Sequence, residues 1–205
     1  VPIPSQEIQQ TIVAECEAVD KEVEEAKGQI AKAKEQIEHI LSEVNDGIKP
    51  LRAIAPFATN RIDFDKISAS DYITTDNMLQ DFEGVRPYDG EPLAGSVIEY
   101  KRGDILMSNI RPYLKKIWLA DRDGGCSPDV MVFRPTAEVM SEFVYYMIRR
   151  QTFIDYVMND VKGMKMPRGN KDNIIRYAIP VPQPKIQQQI VARIHIHEAK
   201  IAEAK

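Results

Sequence analysis

Two short stretches place carboxylates and a lysine where they would do chemistry: Pro128-Asp129, and then Asp160-Val161-Lys162. Two acids so arranged hold Mg²⁺ while the lysine orients an attacking water, the loose pattern of a metal-dependent nuclease. Against that reading, the second stretch follows a predicted helix instead of lying on the strand the geometry needs, and patterns this short arise often by chance. His195 and His197 are two residues apart, so on a helix they point in different directions and do not share a metal, and His39 stands by itself. Cys16 and Cys126 make no C-x-x-C pair and read as small buried hydrophobes. No Asn- or Asp-Pro-Pro-aromatic stretch is present to hold a flipped base for methyl transfer, and no G-x-G-x-x-G loop. Tyr145-Tyr146 with Arg149-Arg150 has the composition of a stacking platform for single strands, but at helical spacing the tyrosines divide between core and surface. The sequence asks for no cofactor and no metal.

The elements that must position these residues differ in charge. The 205 residues carry 27 Lys plus Arg against 31 Asp plus Glu, a net charge of −4. Residues 1–45 hold 4 basic and 10 acidic residues, whereas the middle of the chain is balanced, so an acidic helical arm sits beside a neutral part free to present a basic face. No run approaches the ~20 apolar residues that span a bilayer, and the N-terminus lacks the order of a signal peptide, so a cytoplasmic protein without membrane contact is expected.

Apolar or small residues fall at Ile12, Cys16, Val19, Val23, Ala26, Ile30, Ala33, Ile37, Ile40 and Val44, alternating 4 and 3 apart. This heptad seam predicts a coiled-coil helix from Ser5 to Val44, capped by Ser5 and stopped by Asn45-Asp46-Gly47. The tail repeats the head. Laying residues 1–27 on 179–205 gives eleven identities, among them Pro2/Pro180, Pro4/Pro182, Gln9/Gln187 and Ile12/Ile190. A chain that begins without Met and breaks off inside the second helix reads as a segment of a longer, internally duplicated protein. Paired helices attached to the domain in this way would run antiparallel.

Between the repeats, β-rich runs at Gly95 to Tyr100, Asp104 to Met107, Lys116 to Leu119 and Val130 to Arg134 are separated by turn signals. A helix is predicted over Ser141 to Met158, then a glycine- and cation-rich loop from Lys162 to Asn173, then a last strand from Ile174 to Val181. The expected class is α+β: a mixed α/β domain, residues 46–182, between coiled-coil helices at 1–45 and 183–205.

Particular stretches then carry a resemblance. Asp71-Tyr72-Ile73-Thr74-Thr75-Asp76-Asn77-Met78, Gly103 through Ser108-Asn109-Ile110-Arg111-Pro112-Tyr113-Leu114-Lys115-Lys116, and Ser127-Pro128-Asp129-Val130 through Pro135 are three of them. The fourth is Ile179-Pro180-Val181-Pro182 running into Gln187-Gln188-Gln189-Ile190-Val191. Together they resemble the specificity subunit of type I restriction-modification enzymes, with Pro184-Lys185 departing from the family's usual Leu-x-Glu-Gln. The resemblance implies a target recognition domain that reads one half of a split DNA sequence, with the helices acting as a spacer. It implies double-stranded DNA, methyltransferase subunits and a restriction subunit as partners, and no reaction of the chain's own. A half-length subunit that forms a homodimer through its coiled coil is the variant reading.

On that reading, side chains on base edges specify and cations on phosphates set register. The candidates for DNA contact are Lys162, Lys165, Arg168, Asn170 and Lys171 in the basic loop. Arg111, Lys115 and Lys116 form a second cluster, and Asn60, Arg61 and Arg86 a third, weaker set. The competing readings are a coiled-coil protein-interaction scaffold and the Mg²⁺-dependent nuclease above.

Overall fold

The computed structural model describes residues 3–91, 95–163 and 166–205, which fall into two compact units. The first combines residues up to Glu43 with Ala192–Lys205, and the second is Val44–Val191.

In the first unit the heptad seam forms one 37-residue helix, α1 (Gln6–Ser42), whose N-cap Ser5 accepts the Ile8 N–H. On the C-terminal half of α1 the seam is covered: Ala33 and Ile40 are buried, and Ala26, Ile30 and Ile37 half-buried. Ile194, His197 and Ile201 on α6 (Pro184–Glu203), and Ala204 just beyond its end, are shielded at the same spacing. Arg193 Nη2, midway along α6, lies 3.7 Å from Glu43 Oε2 at the end of α1, and the shielded residues that follow Arg193 answer the shielded stretch that precedes Glu43, as antiparallel pairing requires. The N-terminal half of the seam is bare, with Ile12, Val19 and Val23 at 49%, 57% and 44% exposure. Cys16, expected to be buried, is exposed for the same reason.

The second unit begins where α1 is stopped. Gly47 has φ +66°, and a β-carbon there would stand 2.6 Å from the Val181 carbonyl oxygen, so only glycine makes this bend. The chain enters and leaves the unit at one place, because β1 (Lys49–Pro50) pairs antiparallel with β11 (Ala178–Ile179). After β1 comes the single turn α2 (Leu51–Ile54). Two sheets make up the core. One orders β2 (Arg61–Asp63), β4 (Ser96–Tyr100), β7 (Gly124–Cys126) and β3 (Tyr72–Ile73), antiparallel except between β3 and β7. The other orders β6 (Ile117–Leu119), β5 (Ile105–Ser108) and β8 (Val130–Phe133), all antiparallel. β5 and β8 are buried throughout, matching their unbroken apolar runs. Tyr100 and Trp118 meet edge to face at 5.7 Å in this core, and buried Asp104 is held by Arg134 at 2.7 Å.

Two expectations fail here. The helix over Ser141 to Met158 is two helices, α3 (Ser141–Arg149) and α4 (Gln151–Met158), broken at Arg150, whose ψ of 144° is extended. α3 is buried on nearly all sides, through Phe143, Val144, Tyr146, Met147 and Ile148, and α4 buries Phe153, Ile154 and Val157. The last strand is also shorter. Residues from Lys171 to Ile174 form a helical turn, α5 (Lys171–Ile174), capped by Asn170, and only Ala178 and Ile179 are extended in a ladder.

The start of α6 belongs to the second unit and is seated by a glutamine. Gln187 is fully buried, donates from Nε2 to the Pro182 carbonyl at 2.8 Å, and accepts the Met140 N–H at 2.9 Å just ahead of α3. Its repeat counterpart Gln9 makes the first of these bonds, to Pro4, at 2.7 Å. The duplication therefore extends to side-chain hydrogen bonding.

Candidate nucleic-acid interface

The predicted basic loop and the Ser108–Lys116 stretch, far apart in sequence, are one structure. Within the loop, β9 (Val161–Lys162) and β10 (Arg168–Gly169) form a small hairpin. The segment after β5 pairs alongside it: Ile110 bridges Arg168, the Arg111 N–H donates to the Pro167 carbonyl at 2.8 Å, and the Gly169 N–H to the Asn109 carbonyl at 3.2 Å. Asn170 closes the base of the hairpin, donating to Asp160 Oδ2 at 2.9 Å while it caps α5. Lys162 and Arg168 are direct partners across the hairpin. Like charges so placed repel, and the Asp129 carboxylate beside Arg168 offsets part of that repulsion.

Beyond Asn109 the chain turns sharply. Arg111 and Lys115 both adopt left-handed backbone, with φ 50° and 52°, around a 3-10 turn at Pro112–Leu114. Asn109 is buried and its Oδ1 has no partner among the described residues. Gly169 lies against it, where a β-carbon would stand 3.1 Å from that oxygen and 2.8 Å from the Ile174 side chain.

The sequence-derived cations divide by what they already hold. Lys116 Nζ donates to the Thr75 carbonyl at 2.6 Å and so ties the turn to the segment before β4. That segment is stapled by buried Asn77, which bonds the Tyr72 and Arg86 carbonyls at 2.9 and 3.1 Å. Arg61 is bound to Ser96, through Oγ at 2.8 Å and through its carbonyl. Lys171 reaches the Pro128 carbonyl at 3.3 Å, and Arg168 Nη2 lies 3.3 Å from Asp129 Oδ1, an exposed pair of the kind that contributes little. By contrast, the side chains of Arg111, Lys115, Lys162, Arg86 and Asn60 make no hydrogen bond or ion pair among the described residues. Lys165 lies outside the described residues. Arg61 and Lys171 share a shallow groove of about 300 Å³, floored by Phe57, Ile98, Val130 and Val132.

The nuclease pattern loses its acids to these contacts. Val161-Lys162 does lie on a strand, contrary to the expectation from sequence, but Asp129 faces Arg168 and Asp160 holds Asn170. Among the described residues no group of three or more His, Cys, Asp or Glu side chains is placed to hold a metal ion. Burial pushes the Cys126 thiol up to about 12, so it is not a thiolate nucleophile at neutral pH. The stacking platform also resolves inward: the Arg149 guanidinium lies 4.6 Å from the Phe82 ring centre and 4.8 Å from that of Tyr145, and Tyr146 is buried. The sequence pattern marks Asp129 only as a candidate metal ligand, whereas it pairs with Arg168, and does not single out Tyr113, exposed at the tip of the left-handed turn. For Tyr113 the available signal was Pro112 behind an arginine, which predicts a turn with an outward residue.

The β-edge thus carries cations that are unpaired among the described residues, set on tightly bonded turns. The chain belongs to the family described as the type I restriction modification DNA specificity domain, whose model matches residues 98–205. It is 30% identical over 96 residues to the type I restriction enzyme EcoDI specificity subunit of Escherichia coli, covering 47% of this chain and 21% of that protein. Among solved structures, the HsdS subunit from Thermoanaerobacter tengcongensis matches all of the chain with a TM-score of 0.64 at 16% identity. The type I restriction-modification S subunit from M. genitalium matches 98% of it, with a TM-score of 0.55 at 12% identity. The chain spans about half the length of these two structures, 54% and 56%. At such identities the likeness is one of fold.

Proposed function

We propose that this chain is the DNA-recognising part of a type I restriction-modification specificity subunit. It reads one half of a two-part duplex target and directs methyltransferase and restriction subunits to it, in the cytoplasm, without catalysing a reaction itself. The observation that carries this is the pairing of the β5 extension with the β9–β10 hairpin, which gathers Arg111 and Lys162 on one small sheet with Lys115 at the end of the adjoining turn, all three side chains without partners among the described residues. Residues 46–182 are the recognition domain, and residues 1–45 and 183–205 belong to the spacer. The matching Gln9 and Gln187 bonds support a spacer whose two ends each seat a domain. Phosphate contacts from the free cations provide salt-dependent affinity and register. Arg168 and Lys171, held only by an exposed pair and a long hydrogen bond, are available to exchange those partners for DNA.

The test is the adenine methylome of cells expressing the parent complex with and without Lys162→Ala plus Arg168→Ala. Weakened or relaxed methylation through one half of a two-part motif, with the other half intact, is the expected result. A parent complex with no two-part motif would sink the reading and bring the scaffold alternative forward.

A further inference from the structure

Four non-glycine residues have left-handed backbone among the described residues: Asp81, Phe82, Arg111 and Lys115, with φ of 52°, 66°, 50° and 52°. They converge. The Asp81 and Phe82 N–H groups donate to the Leu114 and Lys115 carbonyls, each at 3.1 Å, while Arg111 and Lys115 bracket the turn that contains Leu114. Residues with a β-carbon rarely adopt this backbone, and where they do the surroundings must over-determine it, a feature that gathers at functional sites. Here the surroundings are explicit. Pro112 is buried, α4 packs on the turn, the Leu114 and Lys115 N–H groups bond back to the Arg111 and Pro112 carbonyls at 2.9 Å, and Arg111 is tied to Pro167.

The side chain that this rigid turn displays is Tyr113. It is 48% exposed and its hydroxyl has no partner among the described residues. The cations on either side of the turn, Arg111 and Lys115, are likewise unpaired. An aromatic side chain loses little rotamer freedom on contact, and a phenol offers both a hydrogen-bonding group for base edges and an apolar face for a thymine methyl. Cations flanking it supply the phosphate contacts that fix such a group in a groove.

We propose that Tyr113 is a base-reading, specificity-determining residue, presented to the duplex groove by the paired left-handed turns at Asp81–Phe82 and Arg111–Lys115. The proposal rests on the DNA-recognition reading given above. It is tested in the complete specificity subunit assembled with its methyltransferase subunits. The half-site is first read from the methylome, and binding to cognate and half-site-scrambled duplexes is then measured across a salt series. Tyr113→Ala is expected to lower the cognate-to-scrambled affinity ratio about 10- to 100-fold while leaving the salt slope unchanged. Tyr113→Phe assigns the contact: a retained ratio places it on the ring, and a ratio that falls with Ala places it on the hydroxyl. A ratio within about twofold of wild type for Tyr113→Ala, or equal weakening on both duplexes, overturns the proposal. If Tyr113→Ala melts more than about 5 °C low, Tyr113→Gln is read in its place by the same criteria. A wild-type complex that prefers no sequence instead refutes the DNA-recognition reading beneath it, so the two failures are distinguishable.

Discussion

Arg111 and Lys116 lie five positions apart in one basic stretch, and by residue type both are phosphate ligands. Their surroundings separate them. The Lys116 ammonium is committed to the Thr75 carbonyl at 2.6 Å, whereas the Arg111 guanidinium holds nothing among the described residues. Arg111→Ala is therefore expected to weaken binding to every duplex alike and to reduce the slope of log affinity against log salt by about one, leaving the melting temperature unchanged. Lys116→Ala is expected to do the reverse, lowering stability by about 1–2 kcal/mol for a lost charge-assisted bond while the slope stays near the wild-type value. Salt-series binding and urea melts on the two variants decide this. What the sequence shows at this scale is which residues carry charge. What it hides is their pairing, because Thr75, Ser96 and Pro128 engage Lys116, Arg61 and Lys171 through backbone carbonyls that every residue possesses.

The four β-rich runs were legible as strands because each is a compact apolar run closed by a turn signal, and β4, β5, β6 and β8 lie within a residue or so of the expected bounds. The β9–β10 hairpin was not, since strands of two residues have no period to detect and are defined by Ile110 and Asn109 bonding from elsewhere in the chain. The break at Arg150 escaped for a different reason: α3 and α4 each carry apolar residues at helical spacing, and Arg149-Arg150-Gln151 holds no glycine or proline to mark a stop. Where α6 meets the domain, the decisive residue is polar. Gln187 is buried with both ends of its amide bonded, so Gln187→Ala leaves the Met140 N–H and the Pro182 carbonyl unpaired and opens a cavity, at a cost of about 2–4 kcal/mol. Gln9→Ala removes the equivalent bond from an exposed helix end and is expected to cost less than about 0.5 kcal/mol in this chain. Denaturant titration followed by Trp118, the single tryptophan, buried in the domain core, reads both variants. Equal costs would mean that the buried amide is not what seats α6.

Across the whole chain, the repeat was the most legible feature, since a shift of one period aligns the Pro-x-Pro lead-in, the glutamine and the seam together. The uneven cover of that seam was not legible, because a heptad pattern says that a helix needs a mate without saying along how much of its length the mate runs. From Ala26 to Ile40 the α1 stripe is shielded, and from Ile8 to Val23 it is not, with Ile8, Ile12, Val13, Val19 and Val23 each 44–57% exposed. A stripe of this length draws other apolar surface to it, as unpaired coiled-coil faces do. The isolated chain is thus expected to self-associate at micromolar concentration through this half of α1. Val19→Lys plus Val23→Lys should hold it monomeric in sedimentation equilibrium, without moving the melting transition of the domain, because neither residue is buried in the folded chain. The same pair in a full-length parent should behave differently. If the spacer is a coiled coil formed by both repeats, lysines on the seam would face an apolar helix there, and the variant should lower the stability of the parent and shift the spacing between the halves of its methylation motif. Wild-type stability and spacing in the parent would show that this half of α1 is not part of the spacer pairing.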